Sequence, residues 1–155
     1  MKLIPSSSQT VGPFFSIGLE PLCQDADAAL ATAPDSLVLR GFVRDGDMAP
    51  IPDCLLEFFA PNFFARVATS ADGNYRVTIP SAAAMCEVLV FMRGLLKPTL
   101  TRVYFEEAAL KSDPAIQNVP SGRTSTLAAA QKPGTKQYEW NVAMQGEKET
   151  VFFDF

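Results

Sequence analysis

Short stretches in which apolar and polar residues alternate are the dominant pattern of this sequence. The clearest is YEWNVAMQ, where Tyr138, Trp140, Val142 and Met144 alternate with more polar neighbours. A period of two places these four side chains on one face of a β-strand. Similar stretches are SLVLRGFVRDGD, PIPDCLLEFFAPN, SADGNYRVTIP, CEVLVFMRGL, LTRVYFEE and TVFFDF. Because about seven short strands with little helical periodicity suit two packed sheets, the sequence predicts an all-β fold, an antiparallel β-sandwich.

Two parts of the chain lie outside this pattern. Residues 1–35 are predicted to be an extended N-terminal arm and loop, and residues 36–155 a β-sandwich domain. The arm contains SQTVGPFFSIGL, in which Gly12-Pro13 cannot lie inside a helix or a central strand because Pro fixes φ and donates no N–H. Residues 110–131 are predicted to form loops with one or two short helices.

Composition excludes several classes of protein. The chain has 155 residues, 48% of them hydrophobic and 19% charged, as in a single globular domain with a real core. A net charge of −4 argues against nucleic-acid binding, and no apolar run is long enough to cross a membrane. The three cysteines are widely spaced and the start of the sequence resembles no secretory signal, so we expect a cytoplasmic protein.

The sequence contains no histidine. Histidine is the commonest general base and the commonest ligand of transition metals. Any metal-dependent or hydrolytic chemistry in this chain would therefore have to work without imidazole.

Several of the stretches resemble one known family in order and spacing. SQTVGPFFSIGL and QGEKETVFFDF, at the two ends, are similar to the α subunits of the protocatechuate 3,4-dioxygenases, which cleave aromatic rings between two hydroxyl groups. LRGFVRDGD, LVFMRG and TRVYFEE match between them. The resemblance implies a β-sandwich, a role in aromatic catabolism and a hetero-oligomer. The hetero-oligomer that it implies contains a homologous β subunit, which binds Fe(III) through two tyrosines and two histidines, ligands that suit a ferric ion.

The resemblance also implies that this chain has no iron site and no cofactor of its own. The family's paired histidines correspond to Met85 and Glu87, and Ser81 to Ala84 replace the segment with one ligand tyrosine. The loop that carries the other ligand tyrosine is missing from APNFFARVATS, so the chain is expected to be shorter than its relatives. Cys86 and Glu87 could ligate a metal in principle, but two groups do not make a site. The remaining tyrosines all lie in strand patterns and are predicted to be structural; they are Tyr75, Tyr104 and Tyr138.

Four residues are candidates for a substrate site. By resemblance, Thr10, Gly12 and Pro13 line the pocket of the partner subunit, with Phe14 and Phe15 anchoring the arm in the interface. Arg93 corresponds to an arginine at the mouth of that pocket, where its guanidinium can pair with the carboxylate of an aromatic diol. Arg102 also matches a family arginine and is predicted to be structural.

Two functions remain open from the sequence. The first is a non-catalytic subunit that completes a dioxygenase active site in trans. The alternative is a stand-alone β-sandwich binding or interaction module with neither iron nor partner. The absence of histidine and of the ligand tyrosines argues against an active mononuclear enzyme.

Overall fold

The structure is a computed structural model that describes residues 7, 9, 10, 12, 14–23 and 35–154. The described strands are β1 (Ser36–Arg44), β2 (Leu55–Ala60), β3 (Phe63–Ala68), β4 (Asn74–Pro80), β5 (Met85–Phe91), β6 (Thr99–Tyr104), β7 (Ala130–Gln131), β8 (Gln137–Glu139) and β9 (Val142–Ala143). The helices are α1 (Phe14–Leu19) and α2 (Glu107–Ser112), with 3-10 helices at Glu20–Leu22, Pro114–Asn118 and Thr124–Leu127. None of the described helices is long and apolar enough to cross a membrane.

The strands form two sheets, which confirms the predicted β-sandwich. One sheet has the order β4-β1-β8-β7, with β9 also paired to β1, and the other has the order β3-β2-β5-β6. The described pairings within the second sheet are all antiparallel, as predicted. In the first sheet, however, β8 and β9 run parallel to β1. Parallel neighbours need a long crossover, and residues 45–136, which include all four strands of the second sheet, connect β1 to β8.

The core lies between the inward faces of the two sheets. Alternation along the strands supplies it, as predicted: β1 contributes Leu39 and Val43, and β5 contributes Val88 and Val90, all four fully buried. The opposite faces of these strands are more exposed. Burial of one face per strand therefore sets the register, because a slip of one residue would expose the whole apolar set.

The stretch YEWNVAMQ, predicted to be one strand, is interrupted at Trp140. There the backbone lies very close to Gly41 of β1, which has no side chain in the way. A Cβ on Gly41 would lie 1.7 Å from the carbonyl oxygen of Trp140. That oxygen accepts a hydrogen bond of 2.7 Å from the Tyr75 hydroxyl, and the Trp140 indole N–H donates to the Thr126 carbonyl at 2.8 Å. The stretch is thus divided into β8 and β9, and Trp140 and Val142, predicted to share one face, are both buried.

The segments that connect the strands agree only in part with those predicted from the sequence. Two residues, Pro61 and Asn62, join β2 to β3, and Asn62 has φ of 58°. This tight turn occupies the position where the sequence predicted a missing loop. The expected short helices occur between residues 107 and 127. TVFFDF, by contrast, is not a regular strand: it follows β6 with a single bridge between Phe153 and Leu100.

Candidate functional site

The turn that follows β5 determines where Arg93 lies. The Leu95 N–H donates to the Met92 carbonyl at 3.4 Å, and Gly94 has φ of 93°. A positive φ at the third position of a four-residue turn favours glycine, which explains the Arg93-Gly94 order. Arg93 occupies the second position, and its side chain is 62% exposed.

The N-terminal arm contacts this turn through Thr10. The Thr10 hydroxyl oxygen accepts hydrogen bonds from the Gly94 N–H at 3.1 Å and from the Gly12 N–H at 3.3 Å. Gly12 has φ of 66°, a conformation that suits glycine. Since both contacts use the oxygen as acceptor, the hydroxyl proton can still be donated to a ligand. The structure thus brings Thr10 and Gly12 of the arm to the turn that holds Arg93, far along the chain, whereas Pro13 lies outside the described residues.

Asp53 is a member of this cluster that the sequence did not indicate. Its Oδ2 lies 3.0 Å from Arg93 Nε, and its side chain is 16% exposed. Leu55 of β2 pairs with Phe91 of β5, so the antiparallel register, continued by two residues, places Asp53 opposite Arg93. The partner could have been found from that register had the pairing of these two strands been known. Nothing in the local sequence around Asp53 distinguishes it from an ordinary turn residue.

Several large apolar side chains that follow Thr10 and Arg93 in the sequence are exposed. In α1, Phe14 is 77% and Ile17 62% exposed, and Leu22 in the following 3-10 helix is 59% exposed. None of the described residues of α1 is buried, although Phe15 is half-buried. Leu96, three residues after Arg93, is 64% exposed. Large exposed apolar residues that are close together are typical of interaction surfaces.

Arg102 has a different environment, on the face of the second sheet. Its Nη1 donates to Asp113 at 2.6 Å and its Nη2 to Glu87 at 3.0 Å, and the guanidinium carbon lies 5.3 Å from the centre of the Phe153 ring. The Tyr104 hydroxyl also donates to Asp113, at 2.6 Å. Burial, together with the bond to Asp113, raises the pKa of Tyr104 to about 12. These contacts make Arg102 a structural residue, as predicted.

The side chains that could in principle ligate a ferric ion do not form a site for one. Burial raises the pKa of the Cys86 thiol to about 12, which keeps it protonated, and Glu87 is paired with Arg102. Tyr75 and Tyr104 are buried and hydrogen-bonded to other groups, and burial raises the pKa of Tyr75 well above its usual value. Within the described residues, no three acidic or cysteine side chains are grouped as metal ligands would be. No chemical step in this chain is therefore assigned to iron.

Solved structures identify the class of fold. The dioxygenase domain of a dioxygenase carbohydrate-binding protein fusion from a Streptomyces species matches with a TM-score of 0.58 and 15% identity, over 75% of this chain and 84% of that chain. The 3-chlorocatechol 1,2-dioxygenase of Rhodococcus opacus matches with a TM-score of 0.52 and 18% identity, over 70% and 59% of the two chains. The molecule thus has the β-sandwich fold of the intradiol dioxygenases.

Sequence relatives define the family more narrowly. A protocatechuate 3,4-dioxygenase alpha chain from Burkholderia cepacia is 35% identical over 188 residues, which covers 95% of each chain. Another, from Pseudomonas putida, is 28% identical over 200 residues, covering 100% of this chain and 99% of the relative. No protein-family model matches the sequence. The chain belongs to the protocatechuate 3,4-dioxygenase alpha chain family.

The chain is also shorter than these relatives, as expected from its sequence. The match to the Pseudomonas putida chain spans 200 positions, against the 155 residues present here. Because both chains are covered almost end to end, the difference consists of gaps within this chain. The two-residue turn between β2 and β3 lies where the sequence predicted one such deletion.

Proposed function

We propose that this alpha-type chain is the non-catalytic subunit of a protocatechuate 3,4-dioxygenase-like enzyme and completes the substrate pocket of an iron-bearing β-type subunit. Family membership supports the subunit type, and the unsuitable donor set supports the absence of iron chemistry here. The observation that carries the proposal is the exposed cluster of Thr10, Gly12 and Arg93, next to an apolar arm. Such a cluster can contribute to a pocket that another chain encloses.

Each residue of the cluster has a defined task in this proposal. Arg93 pairs with the carboxylate of an aromatic diol and so holds the ring at the mouth of the partner's pocket. The Thr10 hydroxyl donates its proton to an oxygen substituent of the ring. Gly12 lets the arm backbone lie close to the flat ring, and Pro13, which is outside the described residues, is proposed to line the pocket beside it. Ring cleavage takes place at the partner's ferric ion, outside this chain.

The exposed apolar side chains supply the contact with the partner. Phe14, Ile17 and Leu22 lie largely in solvent in the described chain, and their burial against the β-type subunit would favour assembly. A stand-alone binding module is less well supported, because family membership extends over nearly the whole chain and not over the sandwich core alone.

Co-expression with a β-type chain from the same genome tests this function. We expect an iron-containing hetero-oligomer that cleaves a carboxylated catechol, whereas the chain alone is expected to be colourless and iron-free. Two colourless proteins that elute separately, or stoichiometric ferric iron in the isolated chain, would contradict the proposal.

Variants of the arm then test the interface. Deleting residues 1–15, or replacing both Phe14 and Ile17 by Ser, should weaken assembly while leaving the sandwich folded. Met48→Ser is the matched control, since Met48 is 52% exposed but belongs to the connection between β1 and β2. If the arm variants assemble as tightly as this control, the arm is not part of the interface.

A further inference from the structure

The geometry points to Asp53 as the positioning residue for Arg93: it holds the guanidinium in the orientation in which Arg93 can bind a ligand carboxylate. This inference rests on the proposed function, since it concerns the same site. Asp53 itself touches neither substrate nor iron in it, and acts only through Arg93.

The contact uses one particular edge of the guanidinium. Asp53 Oδ2 lies 3.0 Å from Nε, whereas the side chain of Arg93 as a whole is 62% exposed. A guanidinium presents five N–H donors in a rigid planar fork, and one carboxylate can be bound at the terminal edge by the two Nη groups. With Asp53 at Nε, this terminal edge remains for a second carboxylate. The pair therefore specifies which face of Arg93 a ligand meets.

Burial of the Asp53 oxygen explains why the pair persists. Oδ2 is inaccessible to water, and within the described residues it has no aligned hydrogen-bond donor. A buried carboxylate oxygen without a donor is costly, so the Arg93 cation is the group that compensates it. Since Asp53 lies two residues before β2 and Arg93 two residues after β5, both ends of the contact are attached to paired strands.

Orientation and charge have opposite effects on a ligand carboxylate. Asp53 restricts the many rotamers of Arg93 before binding, which favours the ligand. It also partly neutralises Arg93, which disfavours the ligand. Asp53→Ala and Asp53→Asn both remove the carboxylate charge that attracts Arg93, and Asp53→Asn does so with almost no change in the shape of the side chain. If orientation dominates, both variants bind the ligand less well than wild type; if neutralisation dominates, both bind it better.

A double-mutant cycle in the assembled complex tests the inference. We expect Asp53→Ala to raise KM for a carboxylated catechol roughly 3- to 10-fold with little change in kcat, within the range for contacting residues. Asp53→Asn should raise KM by a similar factor, because it removes the same charge. A catechol without a carboxylate should be indifferent to both. In an Arg93→Ala background, Asp53→Ala should have no further effect.

The outcomes separate this inference from the proposed function. If Arg93→Ala leaves KM unchanged, the proposed role of Arg93 fails, and the role of Asp53 fails with it. If Arg93→Ala raises KM but Asp53→Ala leaves it unchanged or lowers it, Asp53 only screens Arg93, and this inference alone is overturned. An effect of Asp53→Ala that persists without Arg93, or that falls equally on both catechols, would show general damage to the fold and also overturns it.

Discussion

Arg93, in the turn after β5, and Arg102, in the neighbouring strand β6, have surroundings that differ in almost every respect. Arg102 projects from β6, is 20% exposed and contacts two carboxylates and an aromatic ring. Arg93 lies in the turn after β5, is 62% exposed and contacts one carboxylate. Both match arginines of the family, so residue type does not distinguish them. The two arginines differ in how many guanidinium donors remain available. The described contacts engage both terminal nitrogens of Arg102, whereas the contact of Arg93 leaves its terminal edge available for a ligand.

The largest effect is expected from removing the enclosed arginine. Arg102→Met leaves Asp113 and Glu87 without their cation, and removing one member of a buried ion pair costs about 3–5 kcal/mol. Because Glu87 is 46% exposed, we expect a smaller loss of unfolding free energy, about 2–3 kcal/mol, measured by urea denaturation. Arg102→Lys should recover part of it. A loss below about 0.5 kcal/mol would place Arg102 among ordinary surface charges.

Arg93, the exposed arginine, should contribute little to stability and much to ligand binding. Arg93→Ala should change the unfolding free energy by less than about 1 kcal/mol, since exposed ion pairs contribute little. In the assembled complex it should lower kcat/KM for a carboxylated catechol roughly 10- to 100-fold, mainly through KM, because a charge-assisted hydrogen bond to the ligand is lost. Arg93→Lys should recover only part of the activity, since a point charge replaces a planar fork.

Arg93→Ala and Arg102→Met serve as controls for each other. Arg102→Met, where the complex still assembles, should leave KM for the carboxylated catechol unchanged. If Arg93→Ala destabilises the chain as much as Arg102→Met and does not alter KM, the two arginines have the same structural role, and the distinction between them is wrong.

Most of the sandwich could be predicted from alternation, because one buried face per strand leaves a period of two in the sequence. The interruption at Trp140 could not, since it depends on Gly41 of a distant strand admitting a carbonyl oxygen. The parallel pairing of β8 and β9 with β1 was not predicted for a similar reason: the direction of a strand relative to its neighbour depends on the path of the whole chain between them, not on the local pattern of either strand.

The candidate site could be predicted only through its family motifs. Thr10, Gly12 and Arg93 were proposed from resemblance, and their binding roles remain predictions. The contact between Thr10 and Gly94 and the pairing of Asp53 with Arg93 are tertiary, joining segments 84 and 40 residues apart in sequence. No local signal marks such partners, because a short acidic side chain in a turn usually serves the turn itself.

A smaller effect should appear in the pH dependence of the Arg102 cluster. Burial would raise the pKa of Asp113, but hydrogen bonds from Tyr104 and from the Ala115 N–H, together with the Arg102 cation, outweigh burial and lower it. A lowered pKa adds stability above the unfolded value near 4, and this stability is lost as the pH falls through the folded value. We expect Asp113→Asn to cost about 1 kcal/mol at pH 7 and less at pH 3, measured by denaturation at both values. Equal losses at both pH values would show that the carboxylate charge contributes nothing.

The smallest effect is expected where the arm meets the turn of Arg93. The Thr10 hydroxyl accepts the Gly94 N–H at 3.1 Å in an exposed position, so its loss should cost about 0.5 kcal/mol. Thr10→Val keeps the shape of the side chain and removes the acceptor, and amide hydrogen exchange at Gly94 should then be roughly 2-fold faster. Thr10→Ser keeps the hydroxyl and should exchange at the wild-type rate, which makes it the matched control. The arm is not expected to hydrogen-bond to the Arg102 cluster. Amide exchange at the Tyr104 N–H should therefore be the same with threonine, valine or serine at position 10. If Gly94 exchanges equally fast with valine, serine and threonine at position 10, the arm does not hold the turn, and Arg93 depends on Asp53 alone for its position.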